Sequence, residues 1–321
     1  MSRRRGHRRG LALAGAVAVL LAAMAATAGP LHDARRGFTT RLVAEWREDT
    51  PLEAPPPDLF TLVSYPAPLG ENTAYLSANH AATDSAVGGR PAIVWLTGGM
   101  PTSRGGPYVW RQGPDENDQS AAPFRQAGLV MLFPTVRGTA ANPGRQEAML
   151  GEVDDVIAAA TFLRGVPGVD PDRIYLGGHS TGGTLALLVA EATDMFRAVF
   201  AFGPVPDIAD YGGIDWPFDT DDPNEFRVRS PLHFLDAITT PTLVCEGEGG
   251  NVEDMELLAS VNRNPLVSLL TLPDADHFTP LVPVNRLLAA RIVAGHDDPF
   301  PFDTTAIAQE YARFRAARSE P

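Results

Sequence analysis

From residue 91 onward, short apolar segments alternate with longer stretches of helical apolar spacing, and this alternation limits the fold more than any other feature. Residues 92–96, 129–133, 173–176, 198–202, 242–245 and 266–272 read as strands, mostly apolar along their whole length. Between them, 121–126, 147–163, 182–191, 252–261 and 282–294 carry helical spacing. Apolar strands each followed by a helix predict an α/β fold, a mostly parallel central sheet with helices on both faces. Ligands of such sheets bind beyond the carboxyl ends of the strands, so the loops that follow the strands are where chemistry is expected. Two earlier strands are expected at 59–65 and 73–77, separated by Pro66, Pro68 and Gly70, and an arginine-bearing tail at 304–319 reads as a surface helix.

Composition removes several function classes. All 26 basic residues are arginine, so lysine Schiff-base chemistry and the lysine-bearing phosphate loop are excluded. Five arginines and no acid lie in residues 1–28, which leaves 21 basic against 39 acidic residues in the remainder, a charge of −18. A nucleic-acid partner would be repelled at long range. The lone Cys245 allows no internal disulfide and no cysteine-based metal site, and its apolar surroundings read as core.

The N-terminus pairs Arg3–Arg5 and Arg8–Arg9 with an uncharged run over 11–28 that ends in Ala26-Thr27-Ala28. This is the layout of a secretory signal with a small-residue cleavage site, and it predicts a secreted, periplasmic or cell-envelope protein. The run is just long enough to serve as an uncleaved anchor instead, which would be the protein's contact with a membrane. The expected organisation is therefore a signal or anchor at 1–28, a proline-containing lead at 29–58, one α/β domain at 59–298 and a tail at 299–321.

The strand at 173–176 runs into Gly178-His179-Ser180-Thr181-Gly182, a G-x-S-x-G pattern directly before a helix. A strand–turn–helix context is what a nucleophile elbow requires, because the serine must sit on a tight turn with its hydroxyl exposed. A serine hydroxyl needs a base, and near neutrality that base is normally histidine. Of seven histidines, His277 follows the last expected strand, where a loop can bring it over Ser180; His179 sits inside the elbow and points away from the serine if the turn is tight, and His233 and His296 read as packing or surface residues. Charge developing on a substrate oxygen needs two N–H donors. The amide of Thr181 is one candidate and that of Gly99, in the loop after 92–96, is the other. This chemistry calls for no metal and no organic cofactor.

With these residues in place, 91–294 resembles an α/β-hydrolase, and more narrowly the catalytic domain of the prolyl oligopeptidase family. The likeness rests on Thr97-Gly98-Gly99-Met100-Pro101, Val136-Arg137-Gly138, Val169-Asp170-Pro171-Asp172-Arg173 and Pro241-Thr242-Leu243-Val244. It implies a serine hydrolase acting on a small ester or short peptide through an acyl-enzyme. Peptidase and esterase share that machinery, and both remain open. The chain departs from the family in three ways. The stretch between the signal and Pro91 is too short for the propeller that often precedes such domains. Thr97 stands where histidine or tyrosine is usual. Gly250 occupies the position of the usual triad aspartate, so another acid must orient His277; Glu248 ranks first, ahead of Glu246 and Asp207. That departure also leaves open a binding protein that kept the fold and lost turnover, and a lipase is the weakest alternative.

Overall fold

A computed structural model describes residues 30–81, 89–100, 102–295, 300 and 302–319, so the expected signal segment and His296 lie outside the described residues. Eight strands form one sheet: β1 (Phe60–Ala67), β2 (Gly70–Ser77), β3 (Arg90–Leu96), β4 (Val130–Pro134), β5 (Val169–His179), β6 (Val199–Phe202), β7 (Thr242–Gly247) and β8 (Val267–Leu272). Their order is β1-β2-β4-β3-β5-β6-β7-β8. The β1–β2 hairpin is antiparallel, β2 joins β4 antiparallel, and from β4 onward neighbouring strands run parallel.

The helices are α1 (Pro30–Arg35), α2 (Ala122–Gln126), α3 (Glu152–Arg164), α4 (Thr181–Ala192), α5 (Pro223–Arg227), α6 (Val252–Val261), α7 (Leu281–Ala294) and α8 (Thr304–Ser319). Side chains alternate between the two faces of a strand. In β3, Ala92, Val94 and Leu96 pack with α1, α3 and α4, whereas Ile93 and Trp95 pack with Phe124 of α2 and Leu281 of α7. Both faces are thus covered, which is why the central strands read as continuous apolar runs.

Two expectations shift. The helix expected from residue 147 begins at Glu152, because Ala148 and Met149 take positive φ (52° and 73°) and Glu152 folds back to accept the N–H of Glu147 at 2.6 Å. The tail helix α8 is more than a surface element. It buries Ile307 and Tyr311, and the Tyr311 hydroxyl donates to the Asp274 carbonyl at 3.2 Å, bracing the loop after β8.

Inside α4, Glu191 is 1% exposed and neither carboxyl oxygen has a partner among the described residues. Burial raises its pKa well above the carboxylate range. The folded state then holds a proton that the unfolded chain releases near pH 4–5, so this group costs stability progressively as pH rises through that value. Glu191→Gln removes the cost. Its thermal midpoint is expected to match the wild type near pH 4.5 and to exceed it at pH 8, as read by calorimetric melts across that range.

Candidate active site

The turn between β5 and α4 holds Ser180 at φ 57°, ψ −123°, a region that non-glycine residues rarely occupy. Such strain costs about 1–3 kcal/mol and persists only where surrounding structure enforces it. Here the enforcement is steric and hydrogen-bonded. A Cβ on Gly178 would strike the Gly182 backbone, so only glycine lets strand and helix approach this closely. The Ser180 N–H is tied to the Phe202 carbonyl at 2.8 Å, and its own carbonyl accepts the Thr184 N–H at 3.0 Å. Thr181 opens α4, where the first amides of a helix have no intrahelical acceptor.

The loop after β3 packs directly on this turn. A Cβ at Gly98 would lie 3.0 Å from Ser180 Cβ, and the Gly99 carbonyl accepts the Thr181 hydroxyl at 2.8 Å. Gly99 itself has φ 94°. The amide-bearing loop and the serine are therefore held side by side. Thr97 Oγ1 lies 3.5 Å from the Tyr108 hydroxyl.

His277 lies in the loop after β8. The Asp276 carboxylate shapes that loop by accepting the N–H groups of Phe278 at 2.9 Å and Thr279 at 2.8 Å. Burial opposes ionisation of Asp276, but these donors outweigh it and hold its pKa below the ordinary value. The imidazole Nδ1–H donates to Glu246 Oε2 at 2.7 Å, and the Glu246 side chain is 1% exposed. The acid beside the histidine is thus Glu246, not the first-ranked Glu248. Glu248 lies one turn further on, exposed, and its carboxylate is 3.4 Å from the Asp274 N–H. Asp207 is also elsewhere, accepting from the Ala209 N–H and the Ser230 hydroxyl, each at 3.0 Å.

Gly250 explains the change of acid. A Cβ there would sit 2.6 Å from Glu246 Oε1, so the residue that lacks a side chain makes the space this carboxylate fills. Gly203 does the same on the other side, where a Cβ would meet the His277 ring and come within 2.7 Å of Glu246 Oε2. A signal for Glu246 was present in the sequence. It is a carboxylate at the carboxyl end of an otherwise uncharged strand, and buried charges are rarely placed without a partner.

Ser180 and His277 both border the turn that follows β6. Ser180 bonds Phe202, Gly203 abuts the His277 ring, and the Gly203 N–H donates to the Cys245 carbonyl at 2.9 Å. His179 links the two loops in a way the sequence did not suggest. Its Nε2–H donates to the His277 carbonyl at 2.9 Å, Nδ1 faces the Gln119 carboxamide at 3.1 Å, and the two imidazoles lie 4.6 Å apart. Burial, reinforced by the neighbouring His277, pushes its pKa down to about 3, so it is a neutral strut and no rival base. His233 is exposed and packs edge-on against Phe234. Cys245 is buried, which raises its thiol pKa, as expected for core. Among the described residues no group of three His, Cys, Asp or Glu side chains could hold a metal ion, and no helix is long and apolar enough to cross a membrane.

A mostly parallel sheet with a strained serine after its fifth strand, and an imidazole–carboxylate pair on the loops beside it, defines an α/β-hydrolase architecture. The chain belongs to the prolyl oligopeptidase family, whose model matches residues 116–285, just over half of its length. It is 27% identical over 141 residues to an uncharacterized peptidase, YtmA, of Bacillus subtilis (strain 168), covering 39% of this chain and 53% of that relative. Among solved structures, the acylaminoacyl peptidase of Pyrococcus horikoshii aligns with a TM-score of 0.57 and 16% identity, over 78% of this chain and 44% of that one. A Pyrococcus furiosus esterase aligns with a TM-score of 0.53 and 16% identity, over 77% and 96%. The chain thus spans about half the length of the peptidases it matches, and at these identities the structural likeness carries the fold.

Proposed function

We propose that this protein is a serine hydrolase that cleaves a small ester or short peptide through an acyl-enzyme. His277 Nε2, the ring nitrogen not engaged by Glu246, takes the proton as Ser180 Oγ attacks the carbonyl carbon. The amides of Thr181 and Gly99 receive the developing oxyanion, and Glu246 holds the tautomer and stabilises the imidazolium. The proton then passes to the leaving group, and water repeats the sequence to release the acid. The observation that carries this reading is the 2.7 Å contact between His277 Nδ1 and the buried Glu246. It also supplies the acid whose absence from position 250 had motivated the non-catalytic reading.

Family membership favours a peptidase, while the esterase of similar domain size keeps ester hydrolysis as a second reading. A panel of p-nitrophenyl esters beside alanine- and proline-p-nitroanilides separates them. Turnover of esters is expected for either enzyme, because p-nitrophenolate needs no protonation. Anilide turnover within about 10³-fold of the ester rate would mark the peptidase, since amide cleavage demands general-acid help; no turnover of either class would overturn the proposal. The basic then apolar layout of residues 1–28 supports export to the cell envelope or beyond.

A further inference from the structure

An open cleft of about 690 Å³ lies beside Met100, the residue following Gly99, and is walled partly by the lead segment Glu45–Thr50. Trp46 and Met100 give it an apolar surface, and Trp46 is held in place by stacking on Trp216 at 6.1 Å and by its carbonyl, which accepts the Gln146 N–H at 3.0 Å. Beneath it is a water-sized space of about 10 Å³ that shares Trp46, Met100 and Gln146 with the cleft and is lined by Glu152. Glu152 is 3% exposed, and while Oε1 accepts the Glu147 N–H, Oε2 has no partner. A buried carboxyl oxygen without a donor is costly and calls for an explanation.

The surrounding charges indicate which donor is missing. Two buried arginines, Arg137 and Arg229, stand among four carboxylates, Glu147, Glu152, Asp155 and Glu225. Arg137 is committed to Asp155 and Glu147, and Arg229 to Glu225, so Glu152 is the carboxylate left over. Burial pushes its pKa up to about 7 even though the Arg137 charge lowers it, and a cation hydrogen-bonded to the free oxygen would lower it further. At the rim the two arginines are already paired, Arg47 with Asp49 and Arg104 with Glu48, and Glu45 adds further negative charge. The space that Glu152 lines has the size of a water molecule, which an ammonium head matches and a trimethylammonium or guanidinium exceeds.

We propose that this cleft is a subsite for a primary ammonium group carried on an apolar stem, with the ammonium donating to Glu152 Oε2 and the stem lying along Trp46 and Met100. The site adjoins the Gly99 loop, so the amine would belong to a substrate held at Ser180. That link rests on the hydrolase reading, whereas the binding itself does not.

The test uses the wild-type chain with three probes: benzylammonium, benzyl alcohol and benzyltrimethylammonium, titrated by calorimetry at pH 7.5. Benzylammonium is expected to bind at least tenfold more tightly than either of the others. Its affinity should fall as pH drops from 8 to 5.5, because Glu152 must be ionised to receive it. Glu152→Gln is expected to remove at least tenfold of the affinity. Should that variant fail to fold, the pH titration of the wild type decides the matter alone. Equal affinity for the three probes, or affinity independent of pH, would overturn the proposal. In a kinetic arm, 6-aminohexanoyl and hexanoyl p-nitrophenyl esters are compared, and the amino ester is expected to have the higher kcat/KM. Amine binding without ester turnover would sink the hydrolase reading and leave the subsite standing; turnover without amine selectivity would do the reverse.

Discussion

Ser180→Ala is expected to abolish labelling by a fluorophosphonate and to reduce ester turnover by about 10³–10⁶-fold, with the residue left by the oxyanion donors and binding alone. The folded structure should survive, because the serine hydroxyl is not what holds the turn; Gly178, the Phe202 carbonyl and the start of α4 do that. Ser180→Gly sharpens the test. At φ 57° the wild-type residue is strained by about 1–3 kcal/mol, whereas glycine costs only about 0.4–1 kcal/mol through the unfolded chain. Relief of strain outweighs the entropy cost, so this variant should melt at a higher temperature than the wild type while showing no turnover. An inactive variant that also melts lower would mean the turn is relaxed and the serine is not held for attack. Melts by circular dichroism beside a p-nitrophenyl acetate assay measure both.

The second large effect separates two glutamates two residues apart. Glu246→Gln should lower kcat by about 10³–10⁴-fold with KM little changed, since the amide no longer stabilises the imidazolium and favours the wrong tautomer. Glu248→Gln should stay within about twofold of wild type, because Glu248 is exposed and does not touch the imidazole. The space at Gly250 offers a rescue. In Glu246→Ala the carboxylate is gone, and an aspartate introduced by Gly250→Asp enters the volume it left, since a Cβ at 250 points within 2.6 Å of the Glu246 Oε1 position. Partial recovery of kcat in the double variant is the expected outcome. If Glu248→Gln proved the more damaging single change, the acid assignment would be wrong.

Much of the scaffold was legible because its signals are local. A parallel strand buried on both faces must be apolar throughout, and a tight strand-to-helix turn must be built from small residues, so β3 to β8 and the Gly178–Gly182 turn announce themselves. The start of α3 was misread because its apolar spacing extends back to residue 147, while the positive φ of Ala148 and Met149 is imposed by the neighbouring loop. The tail helix read as surface because its apolar stripe is thin, and only the docking of Ile307 and Tyr311 gives it a task.

The chain's own order of residues determined the serine turn, the choice of His277 as candidate base, the absence of lysine chemistry and the mostly parallel sheet, since each follows from residue type and spacing along one segment. The acid, the His179 strut and the position of Glu152 were decided by tertiary structure. Each depends on loops from different strands meeting at one end of the sheet, where a missing side chain at Gly250 or Gly203 matters as much as any side chain present. Spacing in sequence records which groups are available; which carboxylate reaches an imidazole 31 positions away is a question of volume left empty by neighbours, and that exists only once the chain has folded.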